Sequence, residues 1–334
     1  MTKENIIKRG VSLYSFQDEY FLRKMTLEDI IATCAKMDIP GIEIIGDQMI
    51  PGYPHISDDF FKQWQGWIDK YEFTPVCLDM FLDTNKYDSR EMTPDEMFES
   101  IQMDIVNADK LGCSVIRMMK SIPIDIIKKV TPLAEKHDIK LAFELHAPYH
   151  LDTPDEQRLI ELFDKLQSPC LGFTVDMGIY TKRLPKVAIE RFVRDGMKQS
   201  IADYLTKNYE AGTLPPGAAN KELAEKVREM GGREKDVYLA HLGVRMVYSN
   251  PRRMLDYMPY ILHCHGKFWE MLPDFTEYSI PYEEVVPVMI EGGYNGYINS
   301  EYEGNDWISD KYEVDSAEQV RRHQVMLKRL LGEE

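Results

Sequence analysis

Eight short apolar runs, each separated from the next by a longer amphipathic stretch, constrain this chain more than any other feature. The runs are Val11–Tyr14, Gly41–Ile45, Pro75–Asp79, Ser114–Arg117, Leu141–Glu144, Gly172–Asp176, Tyr260–His265 and Tyr297–Glu301. Each is apolar along most of its length, as strands covered on both faces should be. Strands of that kind alternating with amphipathic helices make βα units and a parallel sheet. Eight such units close into a barrel, so the predicted architecture is an α/β (β/α)8 TIM barrel rather than an open sheet. By length alone 334 residues would allow two domains, but a barrel absorbs them as one. A single domain over residues 1–334 is therefore expected.

The spacers carry helix start signals. Thr93-Pro94-Asp95-Glu96 reads as a capping box with proline at the first helical position, and Thr153-Pro154-Asp155-Glu156 repeats it. Thr26 and Ser57 are N-cap residues for the first two helices. Trp64, Trp67, Ile68 and Tyr71 fall on one helical stripe, expected to pack against the barrel. Pro132 should kink or break the helix after strand four. A last helix, from about Ser316 to Leu331, closes the chain.

One spacer is too long. The stretch between Asp176 and Tyr260 exceeds a plain connection by about the excess of this chain over a minimal barrel of ~250 residues. Helices are predicted near Pro185–Lys198, Ile201–Tyr209, Lys221–Met230 and Glu234–Tyr248, with a turn over Gly212-Thr213-Leu214-Pro215-Pro216-Gly217. The reading is a helical insertion over 182–258, emerging at the face where barrel active sites form and serving as a lid or a partner surface.

The net charge of −16 opposes non-specific attraction to nucleic acid or an anionic membrane, and it leaves room for carboxylates clustered around a cation. The five cysteines, Cys34, Cys77, Cys113, Cys170 and Cys264, are odd in number and none falls in a C-x-x-C pair. This points to a reducing compartment without a disulfide framework. No apolar run is long enough to span a bilayer. The opening MTKENIIKRG lacks the apolar core of a signal peptide. A cytoplasmic protein is expected.

The chemistry gathers at the ends of the last four strands. Strand five ends with Glu144 and, two residues on, His146; strand six ends at Asp176, strand seven with His263, His265 and Lys267, strand eight with Glu301. Carboxylates crowded at one mouth repel, and a bound cation is the usual remedy. The predicted ligands are Glu144, Asp176, His265 and Glu301. His263 competes with His265, which lies nearer the strand end. Three carboxylates and one imidazole suit Mn²⁺ or Mg²⁺, with Mn²⁺ preferred and Zn²⁺ or Co²⁺ also acceptable. His146 is the expected general base, and Glu144 and Glu301 are second proton carriers. Arg117 and Lys267 either hold substrate oxygens or form structural ion pairs.

These residues carry a family resemblance. The chain resembles the xylose-isomerase-like TIM barrels, a superfamily of sugar isomerases, epimerases and dehydratases. The resemblance runs through Val11-Ser12-Leu13-Tyr14-Ser15, Gly41-Ile42-Glu43, Glu144-x-His146, Asp176, His265-x-Lys267 and Gly293-Tyr294-x-Gly296 leading to Glu301. It implies that Glu144, Asp176, His265 and Glu301 bind one divalent cation. Many members have a histidine shortly after the strand-six Asp, where this chain reads Asp176-Met177-Gly178-Ile179.

Gly52-Tyr53-Pro54, Pro75-Val76-Cys77-Leu78-Asp79, Glu144-Leu145-His146-Ala147-Pro148 and the long insertion further resemble the large subunits of bacterial C-glycoside deglycosidases. That resemblance implies a metal-dependent lyase acting on 3-keto C-glycosides with a small β-rich second subunit, hence a hetero-oligomer. The alternative is a divalent-metal sugar isomerase or epimerase working through an enediolate. Tyr204, Tyr209, Tyr238 and Tyr248 are nominated as interface anchors in the insertion.

Overall fold

The structure, a computed structural model, describes residues 7–333 except 83, 85, 86, 215–220, 244 and 247. Eight parallel strands close a barrel in sequence order: β1 Lys8–Ser12, β2 Gly41–Ile45, β3 Thr74–Asp79, β4 Val115–Met118, β5 Lys140–Leu145, β6 Leu171–Asp176, β7 Ile261–Phe268 and β8 Tyr297–Tyr302. The closing pair sets Gly10 opposite Asn299. All eight expected strands are present. Two are offset. β1 ends at Ser12 because Leu13–Phe16 curls into a 3-10 turn, with the Ser12 hydroxyl accepting from the Tyr14 amide. β7 runs on past His265, with Gly266, Lys267 and Phe268 still paired to β8.

The outer layer is helical. Its principal members before β6 are α1 Leu27–Lys36, α2 Asp58–Tyr71, α3 Pro94–Leu111, α4 Ile124–His137 and α5 Pro154–Leu166. Thr26 and Thr93 form complete capping boxes on α1 and α3, and Ser57 caps α2. The second expected box does not form. The Thr153 hydroxyl accepts from the His150 amide upstream and bonds the Glu156 carboxylate rather than a helix amide, and the buried Glu156 carboxylate is taken by Lys120 at 2.6 Å. Pro132 does not break α4. The carbonyl it leaves without a donor is that of Lys128; both residues are exposed, so water can take its place. On α2, Trp64 and Trp67 are buried, and the Trp64 indole donates to the Leu111 carbonyl at 2.9 Å. The stripe packs inward as expected.

The longer helices between β6 and β7 among the described residues are α6 Lys186–Arg194, α7 Gln199–Glu210, α8 Lys221–Glu229 and α9 Glu234–Gly243, followed by a short helical stretch over residues 251–260. Helix α9 is shorter than expected, and Tyr248 instead forms an isolated bridge with Tyr180. Residues 215–217 of the predicted turn lie outside the described residues. These helices have their own core, with Leu184, Phe192, Ile201, Leu205, Leu223 and Val227 buried together. The barrel core is separate and larger. Helices α10 Tyr282–Gly292 and α11 Ser316–Leu331 complete the ring. All five cysteines are free and buried. No helix among the described residues is long and apolar enough to cross a membrane.

Candidate functional site

The four nominated ligands stand on four successive strands. Glu144 is the penultimate residue of β5, Asp176 the last of β6 and Glu301 the penultimate of β8. His265 lies inside β7, opposite Asp176 on one side and Asn299 on the other. The two-residue period of a strand puts His263, His265 and Lys267 on one face, and all three are buried.

Their surroundings differ. His265 Nδ1 is 3.1 Å from Glu144 Oε1 and 3.2 Å from Glu301 Oε1. Glu144, Asp176 and His265 offer ligand atoms that all lie within 4.8 Å of one another. His263 faces away from this group, with Nε2 at 2.6 Å from Glu43 Oε2. Lys267 Nζ donates to Asp176 at 2.7 Å, lies 2.9 Å from Glu303 and 4.0 Å from Glu301, and is 3.0 Å from His146 Nε2. Arg117 is paired with Asp79 at 2.9 Å and stands 3.9 Å from Glu144.

The donor set fits a cation. One imidazole nitrogen faces two carboxylate oxygens, while the buried Glu301 Oε2 has no hydrogen-bond partner among the described residues. Ligand atoms ~2.1 Å from a six-coordinate ion stand about 3.0 Å apart, close to the separations around His265 Nδ1. Oxygen-rich ligands with one nitrogen suit the hard divalent ions.

Electrostatics separates the two carboxylates on His265. Burial would raise Glu144, but Arg117 and His265 hold it well below the ordinary carboxylate range. Burial drives Glu301 well above that range, only partly opposed by His265 and Lys267. Burial would lower His265, but Glu301, Glu43 and its bond to Glu144 hold it well above the usual histidine value. Asp79 is pushed up to about 7 by burial, against the pull of Arg117. Carboxylates whose affinities for a proton are driven apart can divide acid and base roles.

A cavity of about 380 Å³ opens above this floor. Glu144, His146, Arg117, Glu301 and Glu303 line it, with Tyr14, Phe81, Lys120, Tyr149 and Arg245 around the walls. The side chain of His146 is 45% exposed. Its Nδ1 is 2.7 Å from the Ala147 carbonyl, which makes Nδ1 the protonated nitrogen and leaves the lone pair on Nε2, where it faces the Lys267 ammonium at 3.0 Å. Phe81 and Tyr149 present exposed rings, each with a cation nearby: the Arg117 guanidinium 4.3 Å from Phe81 and the Lys120 ammonium 3.2 Å from Tyr149. Arg245 comes from the chain after α9, so the segment between β6 and β7 contributes to the wall.

Sequence reasoning missed Glu43, Asp79, Glu303 and the aromatic walls. Glu43 did carry a signal, being a charge inside an otherwise apolar strand. Asp79 ends its strand as Asp176 does. Phe81 and Tyr149 lie in loops with no periodicity to mark them.

Residues 31–330 match the family described as the xylose isomerase-like TIM barrel. A 3'-dehydrocarminate deglycosidase alpha subunit from a Microbacterium species is 29% identical over 343 residues, covering 100% of this chain and 98% of its own. A C-glycoside deglycosidase alpha subunit from Microbacterium trichothecenolyticum is 31% identical over 312 residues, with 90% and 84% covered. One from Arthrobacter globiformis is 29% identical, with 98% and 93% covered. Among solved structures, a D-psicose 3-epimerase crystallised in the presence of D-fructose shares the fold with a TM-score of 0.56 at 11% identity, covering 97% of this chain and 99% of its own. The chain belongs to the xylose isomerase-like TIM barrel family and is a relative of the C-glycoside deglycosidase alpha subunits.

Proposed function

We propose that this chain is the metal-binding subunit of a lyase that cleaves the C–C bond of 3-keto C-glycosides. The observation that carries this reading is the convergence of Glu144, Asp176, His265 and Glu301 beneath a cavity with aromatic walls, in a relative of deglycosidase alpha subunits. The four residues would hold one divalent cation, Mn²⁺ in preference to Mg²⁺, Zn²⁺ or Co²⁺. When bound, that ion supplies Lewis acidity toward a sugar carbonyl oxygen.

The chain's own residues account for the rest. A 3-keto group acidifies the neighbouring C2 hydrogen. His146 Nε2 accepts that proton. The electron pair left on C2 becomes the C1–C2 double bond as the bond from C1 to the aryl carbon breaks. The aryl carbon takes a proton in its place, and Glu301 or Glu144 relays it in this reading. Lys267 orients the proton-accepting edge of His146 before substrate arrives and, in this reading, gives up that contact to the C2 hydrogen while keeping Asp176 and Glu303; Arg117 steadies Glu144. Phe81 and Tyr149 offer faces on which a planar aglycone stacks. A small β-rich second subunit completes a cytoplasmic hetero-oligomer.

The test is turnover of a 3-keto C-glycoside and of a ketose by the assembled enzyme, with and without chelator. Release of free aglycone, abolished by chelator and restored by Mn²⁺, is expected. Full activity in chelator, or conversion of the ketose alone, would overturn the reading.

A further inference from the structure

Beneath the proposed ligands lies a buried carboxylate that the mechanism does not use. Glu43, in the middle of β2, is fully buried. Its Oε2 accepts from Asn299 Nδ2 at 2.8 Å and faces His263 Nε2 at 2.6 Å. Its Oε1 lies 3.0 Å from His265 Nε2. These two imidazoles are its ion-pair partners among the described residues; no described lysine or arginine stands within ion-pair distance of it. A buried carboxylate without a strong cation is costly, and an apolar residue of similar volume would serve the barrel interior at least as well.

His265 is therefore gripped at both ends. Nε2 stands 3.0 Å from Glu43 Oε1, an ion-pair distance without hydrogen-bond alignment, while Nδ1 is hydrogen-bonded to Glu144 and lies near Glu301. An imidazole that binds a metal through one nitrogen commonly donates the other N–H to a carboxylate, which fixes its tautomer and its ring orientation. We propose that Glu43 is the positioning residue for the cation site: it takes the Nε2–H of His265 and so presents the Nδ1 lone pair to the ion. His263 and Asn299 hold Glu43 in place, which gives His263 a role as a support rather than a ligand. This rests on the proposed cation at Glu144, Asp176, His265 and Glu301.

The test titrates metal-free protein with Mn²⁺ and Co²⁺ by calorimetry, and follows the visible absorption of bound Co²⁺. Glu43→Gln keeps the shape and removes the charge. It should weaken cation binding ~10–100-fold and alter the Co²⁺ spectrum, whereas a purely structural role would lower thermal stability and leave both unchanged. NMR of Co²⁺-loaded wild type gives a readout independent of how the variant folds. A hyperfine-shifted, exchange-protected Nε2–H from His265 is expected. Coordination through Nε2 would overturn the proposal, as would equal cation affinity in the wild type and Glu43→Gln. Failure of the wild type to bind any cation would instead sink the proposed function, and this inference with it.

Discussion

Asp176 shows how a single residue can carry two tasks. One carboxylate oxygen accepts the Gly178 amide at 2.6 Å and the other accepts from Lys267 at 2.7 Å, so the side chain is fixed before any ligand arrives. Asp176→Asn would keep the shape but lose the charge that holds Lys267 and that a cation needs. Bound metal and turnover should fall together, measured as metal content after dialysis and as aglycone release; full metal content with normal turnover would remove Asp176 from the site. His146→Ala should separate the two quantities. The fold and the metal should persist while proton transfer slows by ~10²–10⁴-fold. Metal loss in that variant would make His146 part of the ligand cage. At this scale the sequence is most readable where a polar residue ends an apolar strand, as Glu144, Asp176 and Glu301 do. Distances across the barrel are not readable: nothing in the string of letters joins Glu43 to His263 and His265, because β2 and β7 meet only through closure.

Strands were legible because barrel strands are apolar on both faces and carry their own boundary signals. Strand ends were less so. β1 stops early at a turn capped by Ser12, and β7 continues through Gly266-Lys267-Phe268, whose mixed character hides the extension. Tertiary pairing decided both. The closing helix, α11, exposes a similar limit. His323 reads as one polar position on a basic helix, yet it is fully buried. Its ring stacks on Phe268 at 4.2 Å between centroids, and its Nδ1 lies 2.7 Å from the Ser300 hydroxyl. Burial lowers its pKa from 6.5 to about 3. The folded state thus keeps His323 neutral where the unfolded chain would protonate it. Stability contributed in this way is complete above pH 6.5 and is lost as pH falls from 6.5 toward about 3, at up to ~1.4 kcal/mol per pH unit. Denaturant melts of wild type and His323→Gln across that range should show the wild type losing its advantage as the pH drops. A difference independent of pH would mean that His323 charges freely in the fold.

At the scale of the whole molecule, the question is whether the barrel works alone. Three curated relatives described above are alpha subunits by name. The helices between β6 and β7 carry a core of their own, more than is needed to cover two strands. Not all of their aromatic residues are available to a partner. Tyr204 and Tyr209 pack against that core, and the Tyr209 hydroxyl donates to the Thr181 carbonyl at 2.9 Å. Tyr238 and Tyr248 remain exposed, at 65% and 47%. The Tyr248 hydroxyl already reaches Glu284 at 3.2 Å, which leaves Tyr238 as the least committed of the four. A stable complex buries about 1,200 Å² or more in total, so one tyrosine cannot define an interface, although it can anchor one. Purification from the native host should bring down a small second chain, and mass photometry should show a hetero-oligomer. The 334-residue chain alone should turn over a 3-keto C-glycoside poorly or not at all, with activity recovered on adding the second chain. Full activity from the isolated chain would show that the site is complete within one barrel, and would move the balance toward a self-sufficient sugar isomerase or epimerase.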